Sequence, residues 1–264
     1  MTNSETETQL SDFKISDTGK KFLTGLLRGI HTIYGSIVFL ILFLIFLPPL
    51  LVPILFPKKF SWVGVINRWW AKLLFIFVVL PYKIEERSAL DRRKQYIFCP
   101  NHFSYLDIPT MGLNPVNTIF VGKNDMKKVP LFGFMYGRLH ITVDRTKLKS
   151  KYDSIIKSRE AIEEGKSLVL YPEGGIHSRN PPEMVSFKDG AFRLAIEKQI
   201  PVVPVTIPHN WIILPGNQFL LRQGNVSVIF HEPIETKGMT LADVDRVKEK
   251  VFNTIETELR KYNK

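Results

Sequence analysis

Between Thr32 and Pro57 the chain carries no charged residue, and Ile37 to Leu47 is built wholly of Ile, Leu, Val and Phe. An apolar stretch of roughly 20 residues is long enough to cross the hydrocarbon core of a bilayer. Whatever fold the chain adopts must therefore bury this run in protein or place it in lipid. It lies too far from the start, is too long and lacks a small-residue cleavage site, so it does not read as a secretory signal peptide. The polar, mixed-charge stretch 1–21 ahead of it reads as a loose tail. Pro48, Pro49, Pro53 and Pro57 are expected to break the helix, because proline lacks the N–H that a helix interior needs.

A second apolar stretch runs from about Phe60 to Tyr82, with Trp62, Trp69 and Trp70 beside Arg68 and Lys72 and a purely apolar end, Leu73 to Leu80. Tryptophan next to basic residues suits the headgroup level of a membrane. Lys20, Lys21 and Arg28 precede the first run, and Lys58 and Lys59 separate the two. This charge distribution favours no single crossing. It predicts a membrane-anchoring two-helix segment over 22–84, as a hairpin or as two helices in one leaflet, with the tail and the domain from 85 to 264 on the same side.

The formal charge of +11 and pI of about 9.6 call for an anionic partner: a nucleic acid, an anionic membrane surface, or an acidic substrate or carrier. The single cysteine, Cys99, excludes an intrachain disulfide framework and any CxxC metal site.

After Glu85 the pattern becomes α/β. Short β-branched or aromatic runs recur at Tyr96–Cys99, Thr118–Val121, His140–Val143, Ser167–Tyr171, Val202–Ile207 and Val226–Phe230. Helical patterns occupy Ser150–Glu164, Asp189–Lys198 and Thr240–Tyr262, the last opened by Thr240 and Asp243 at capping-box spacing. The expected fold is a mixed β-sheet flanked by helices, preceded by the two-helix segment.

The candidate chemistry begins at the exit of the first of these strands, in Pro100-Asn101-His102-Phe103-Ser104-Tyr105-Leu106-Asp107. A histidine titrates near operating pH and suits general-base work. An aspartate five residues on can accept its other ring N–H if the chain turns into a helix between them, which fixes the tautomer and favours the imidazolium as it forms. That spacing alone is a weak signal. It gains weight from the blocks that follow: Lys123-Asn124-Asp125-Met126 with Asp144-Arg145, then Tyr171-Pro172-Glu173-Gly174-Gly175, then Phe187-Lys188-Asp189-Gly190-Ala191, then Pro201-Val202-Val203-Pro204-Val205.

In this order the blocks resemble the glycerolipid acyltransferases typified by 1-acylglycerol-3-phosphate acyltransferase, over about Glu85 to Phe230. The resemblance implies that His102 is the catalytic base, with Asp107 its partner and Asn101 the residue usual before it. It implies that Lys123 and Arg145 bind the acceptor's phosphate, that Glu173 and Gly174 open the third block, and that Pro204 belongs to a block linked to acyl-chain binding. The backbone N–H groups around Gly174 and Gly175 are candidate oxyanion donors. The implied reaction moves a fatty acyl group from an acyl-CoA or acyl-acyl-carrier protein to the sn-2 hydroxyl of lysophosphatidate, without metal, cofactor or nucleic acid. The implied location is the cytoplasmic face of the cytoplasmic membrane. A hydrolase would need a nucleophile elbow, and no GxSxG occurs. A silent membrane-binding module would not need His102 and Asp107.

The third block departs from the family's usual Glu-Gly-Thr-Arg-Ser. Here it reads Glu173-Gly174-Gly175-Ile176-His177-Ser178-Arg179, with Ile176 at the arginine position. Arg179 takes over if the loop folds back. Otherwise phosphate binding rests on Lys123 and Arg145, and a lyso-aminolipid becomes the alternative acceptor.

Overall fold

The computed structural model describes residues 17–124 and 129–262. The first sixteen residues of the expected tail, and Asp125 and Met126 of the second block, lie outside the described residues.

The first apolar run forms one helix, α1 (Asp17–Leu55), and a short 3-10 turn at Pro57–Lys59 leads into α2 (Ser61–Phe77). The expectation that Pro48 starts the break does not hold: Pro48, Pro49 and Pro53 all lie inside α1. Each ring removes one N–H and leaves a carbonyl one turn earlier without its donor. The loss is local, and a long apolar helix packed on neighbours tolerates it. On this stretch Phe43 and Leu50 are buried in a cluster with Val63 of α2 and with Met135 and Leu139.

Seven strands form one sheet: β1 (Tyr82–Glu86), β2 (Ile97–Pro100), β3 (Thr118–Lys123), β4 (Ile141–Val143), β5 (Ser167–Val169), β6 (Val202–Thr206) and β7 (Val226–Phe230). Their order is β1-β7-β6-β2-β5-β3-β4. All neighbours are parallel except β6 and β7, so the sheet is mixed, as expected. β1 was not anticipated. It straddles the expected boundary at 84/85 and pairs with β7 from Tyr82↔Val226 to Glu86↔Phe230. Its five residues directly follow an apolar run, and exposed Lys83 and partly buried Glu85 hide the strand signal in the sequence.

Alternate residues of the central strands feed two cores, as the two-residue period of a strand requires. Phe98, Val203 and Val205 face Ala71, Leu74 and Phe75 of α2 and Met111 of α3 (Asp107–Met111). Ile97, Cys99 and Val202 face the other side, where α5 (Leu148–Glu163), α6 (Gly190–Glu197) and α8 (Val244–Lys261) pack. The remaining helices, α4 (Phe132–Leu139) and α7 (Asn210–Ile213), follow β3 and β6. The expected capping box is present: Thr240 N donates to Asp243 Oδ2 at 2.8 Å, one turn ahead of α8.

α2 seats on the domain through a glycine. A Cβ at Gly64 would come within 2.8 Å of the backbone Cα of Asn117. On the same side Arg68 donates to the carbonyls of Asn114 at 3.0 Å and Pro115 at 2.7 Å. Gly64→Ala should therefore destabilise the protein by about 1–3 kcal/mol, the scale of an overpacked contact. Gly29→Ala, in open space on α1, should be neutral or stabilising through helix propensity. Thermal unfolding of both variants in detergent checks this; equal behaviour would show that α2 is not seated as described.

Candidate active site

β2 ends at Pro100, and the chain turns at once into α3. Asp107, the first residue of α3, is fully buried, and a buried carboxylate must be hydrogen-bonded throughout to be tolerated. Its Oδ2 accepts His102 Nδ1 at 3.0 Å and the backbone N–H groups of Phe103 and Ser104, each at 2.9 Å. Its Oδ1 accepts Asn210 Nδ2 at 2.9 Å, and the same amide nitrogen donates to Thr110 Oγ1 at 2.8 Å. The carboxylate thus winds residues 102–107 around itself. His102 Nδ1 is held as donor, and Nε2 makes no hydrogen bond among the described residues.

Two further groups fix the imidazole. The Tyr171 ring stacks on it, centroids 4.0 Å apart, and Tyr171 Oη donates to the Asp107 carbonyl at 3.1 Å. Glu173 Oε1 accepts the His102 backbone N–H at 2.7 Å, and its Oε2 accepts Val185 N at 3.3 Å. Glu173 is therefore a buried brace between the third block and the His102 turn. Burial raises its pKa to about 8 against the pull of those two N–H donors.

The turn after Glu173 requires its glycines. Gly174 has φ +79° and Gly175 φ +154°, conformations that side chains other than glycine rarely adopt. The space is also taken: a Cβ on Gly174 would meet Lys188 Cε at 2.8 Å, and one on Gly175 would meet Arg145 Nη1 at 2.9 Å and His177 Nε2 at 2.8 Å. Arg145 Nη1 donates to the Gly174 carbonyl. Arg145 and Lys188 thus converge on one loop from elements far apart in sequence. Lys188 was singled out in the sequence as part of a block, without a site role. Its position beside Gly174 depends on the 175–187 loop and is not visible from spacing. Gly174 N donates to Tyr171 O at 3.0 Å, whereas the Gly175 N–H makes no hydrogen bond among the described residues.

Other expected site residues fall elsewhere. Asn101 is fully buried, and its amide exchanges both hydrogen bonds with the Ile207 backbone, at 2.7 and 3.0 Å. It ties the exits of β2 and β6 together and is not open to substrate. Pro204 sits in the buried middle of β6, in register with Cys99, and its carbonyl accepts His231 N at 3.0 Å. Neither apolar cavity described below is lined by it. Lys123 ends β3 in register with Val143 of β4, two residues before Arg145, so both cations belong to one corner of the sheet. Arg179 is exposed and makes no hydrogen bond or ion pair among the described residues. Ile176 instead packs on the loop after α7, where a Cβ on Gly216 would meet its Cγ2 at 2.7 Å. Cys99 is buried in β2, and burial pushes its thiol well up, away from a reactive thiolate.

Two apolar cavities of about 260 and 270 Å³ lie between α1 and the domain. Phe39, Tyr105, Pro109 and Phe219 line both. Tyr105 and Leu106, in the walls, belong to the same turn as His102 and Asp107.

The Glu173 carboxyl gives a pH signature. A carboxyl whose folded pKa lies above its unfolded value of 4.5 contributes stability that is present below that value and is lost as pH rises through about 8. Glu173→Gln should flatten the loss of unfolding free energy between pH 5 and 8, measured by denaturant titration. An unchanged slope would place the titrating group elsewhere.

The sequence model of the Acyltransferase family matches residues 82–208. A 1-acyl-sn-glycerol-3-phosphate acyltransferase of Saccharomyces cerevisiae is 30% identical over 171 residues, 64% of this chain and 56% of that protein. A chloroplast 1-acyl-sn-glycerol-3-phosphate acyltransferase of Arabidopsis thaliana is 29% identical over 86% of this chain and 64% of its own length. The chain thus spans less than two thirds of these two relatives. The crystal structure of the 1-acyl-sn-glycerophosphate acyltransferase PlsC from Thermotoga maritima superposes with a TM-score of 0.73 at 19% identity, covering 89% of this chain and 98% of that one, and so shares the fold. The 1-acyl-sn-glycerol-3-phosphate acyltransferase of Haemophilus influenzae is 30% identical over 195 residues, 71% of this chain and 77% of that protein, and on this match the chain belongs to the 1-acyl-sn-glycerol-3-phosphate acyltransferase family.

Proposed function

We propose that this chain transfers a fatty acyl group from an acyl thioester to the sn-2 hydroxyl of lysophosphatidate, giving phosphatidate. The observation that carries this reading is the His102–Asp107 pair, with Nδ1 held at 3.0 Å and Nε2 uncommitted, beside apolar cavities of acyl-chain character. The acceptor hydroxyl is a poor nucleophile. His102 Nε2 takes its proton as the oxygen attacks the thioester carbonyl. Asp107 stays ionised and stabilises the imidazolium as it forms. The Gly175 N–H is the candidate donor to the developing oxyanion. Collapse expels the thiolate, and the imidazolium returns the proton to sulfur. The donor is an acyl-CoA or an acyl-carrier-protein thioester.

In the same reading, Arg145 and Lys188 hold the acceptor's phosphate beside Gly174, with Lys123 at the same sheet corner. Arg145 offers a planar fork that can grip two phosphate oxygens. Burial lowers its pKa, which makes an anion a favourable neighbour. One observation favours a second acceptor, a lyso-aminolipid: Ile176 stands where the family's arginine is usual and is packed against Gly216.

The two-helix segment anchors the enzyme. α1 is long and apolar enough to cross a membrane by length and composition. At 39 residues it is about 58 Å long, roughly twice the hydrocarbon thickness. Its exposed apolar side chains extend from Phe22 to Leu55, with Trp62 and Trp69 of α2 alongside. This length supports a helix lying largely along one leaflet, with the acyl cavities opening toward lipid. The surplus of positive charge suits the anionic cytoplasmic face. Because β1 belongs to the sheet, the anchor in this reading ends at Pro81.

His102→Ala should lower turnover about 10²–10⁴-fold, the range for general-base loss, with melting temperature and membrane attachment retained. Near-wild-type turnover of the folded variant would overturn the mechanism. Arg145→Ala should raise the KM for lysophosphatidate, costing about tenfold or more in kcat/KM, and leave the acyl-donor KM little changed. Acylation of a phosphate-free lyso-aminolipid, with lysophosphatidate ignored, would select the second acceptor and leave the His102 chemistry standing.

A further inference from the structure

At the opposite end of the sheet from His102 lies a polar cavity of about 520 Å³. Its walls are the hairpin turn after α1 and the segments that enter β2, β3 and β5. Five cationic residues, Lys58, Arg92, Arg93, Lys94 and Lys166, line it together with one acidic residue, Glu164. Glu164 pairs with Lys166, and Arg92 is held by Glu86 at 3.0 Å and by the Pro115 carbonyl at 3.1 Å. Lys58, Arg93 and Lys94 have no ion-pair partner among the described residues. The cavity is thus a concave site with about three uncompensated positive charges. Its cations come from two units that meet there, the helical hairpin and the sheet domain.

The wall that carries Lys58 also decides which anion can reach it. Leu55 is 70% exposed, Phe56 62% and Trp62 46%, all within one turn of the 3-10 segment. Lys59 lies over the Trp62 ring at 5.6 Å. Exposed apolar side chains followed by tryptophan under a lysine mark a headgroup level. The cavity mouth therefore lies where the apolar tip of the hairpin enters the bilayer and the polar region begins. The lengths of the strands separate it from the Arg145–Gly174 corner, because it opens at their N-terminal ends and that corner lies beyond their C-terminal ends.

We infer that the cavity framed by Lys58, Arg93 and Lys94 binds the phosphate of an anionic phospholipid headgroup, and so holds the hairpin at a fixed depth and tilt on the membrane. The inference rests on the membrane reading of α1 and α2. It adds a lipid site that is separate from the acceptor site, does not turn over, and is specific for a phosphate ester in a charged headgroup. Arg93 supplies a planar fork and the two lysines supply point charges, a combination suited to phosphate oxygens.

The test is a partition titration of the full chain, added from detergent to vesicles of phosphatidylcholine alone and with one fifth phosphatidylglycerol. The wild-type protein should bind the anionic vesicles more tightly. Neutralising the pocket as Lys58→Gln, Arg93→Gln and Lys94→Gln together should lower that partition at least about tenfold, since a cation near an anionic surface is worth roughly fivefold each. It should leave binding to neutral vesicles and turnover of detergent-dispersed substrate unchanged. A matched control, Lys149→Gln, Lys151→Gln and Lys157→Gln on exposed α5 positions, changes net charge equally and should cost less than about threefold. Equal losses in the two triples would reduce the effect to overall charge and overturn the site. Millimolar inorganic phosphate should not release the wild-type protein more than chloride of the same ionic strength; selective release would make the cavity a soluble-phosphate site and overturn the lipid assignment. Binding to both vesicle types with no dependence on the pocket triple would refute the pocket alone, whereas failure to bind either would refute the membrane reading with it.

Discussion

A single buried carboxylate organises this molecule. Asp107 is removed from water entirely, and an unpaired charge there would cost several kcal/mol. Its two oxygens accept four hydrogen bonds, two from the backbone of the turn that contains it, one from the His102 ring and one from Asn210. The backbone pair shapes the turn between β2 and α3. The Asn210 amide brings in the segment after β6, and the Tyr171 hydroxyl on the Asp107 carbonyl brings in the segment after β5. Three strand exits are thereby drawn to one point, at the C-terminal ends of parallel strands where open α/β sheets place their ligand sites.

How far the sequence could be read follows from how local each interaction is. His102 and Asp107 stand five residues apart, so their pairing is written in one short segment. The glycine turn at Gly174-Gly175 is equally local, and its backbone geometry explains why both positions are glycine. Asn210 lies 103 residues from Asp107 and Tyr171 lies 64. No spacing rule connects them, and only the crossovers of the sheet bring them in. Asn101 shows the reverse: adjacency to His102 suggests a substrate role, yet its amide is wholly engaged with Ile207, 106 residues away. The fold class was legible because six of the seven strands are apolar and separated by helical patterns. β1 was not, because its identity as a strand depends on an edge partner, β7, almost 150 residues on.

The proline-rich end of α1 shows how context overrides a strong local rule. A mid-helix proline costs about 3 kcal/mol where the freed carbonyl must find water. Here the alternating protein contacts of Phe43, Leu47 and Leu50 with Met135, Leu139 and Phe132 hold the helix along the domain. Breaking it at Pro48 would uncover Leu50 and Ile54, which lie beyond the break and pack in the same cluster. The helix therefore continues to Leu55.

Ile176 follows the same logic on a smaller scale. The isoleucine at that position reaches the loop at Gly216. That loop supplies Phe219 and Leu221 to the apolar cavities, and Leu221 N donates to Thr32 Oγ1 of α1 at 2.8 Å. Its start is also pinned to the His102 turn, where Ser104 Oγ donates to the Leu214 carbonyl at 2.6 Å. The substitution thus links the glycine turn beside Arg145 to the wall of the apolar cavities and, through Thr32, to the long helix. Packing on this side and charge on the other are compatible because Lys188 approaches Gly174 from its own segment. A cationic corner can therefore persist without the usual arginine, and the position it vacates is used to hold the apolar cavities and the His102 turn in one frame.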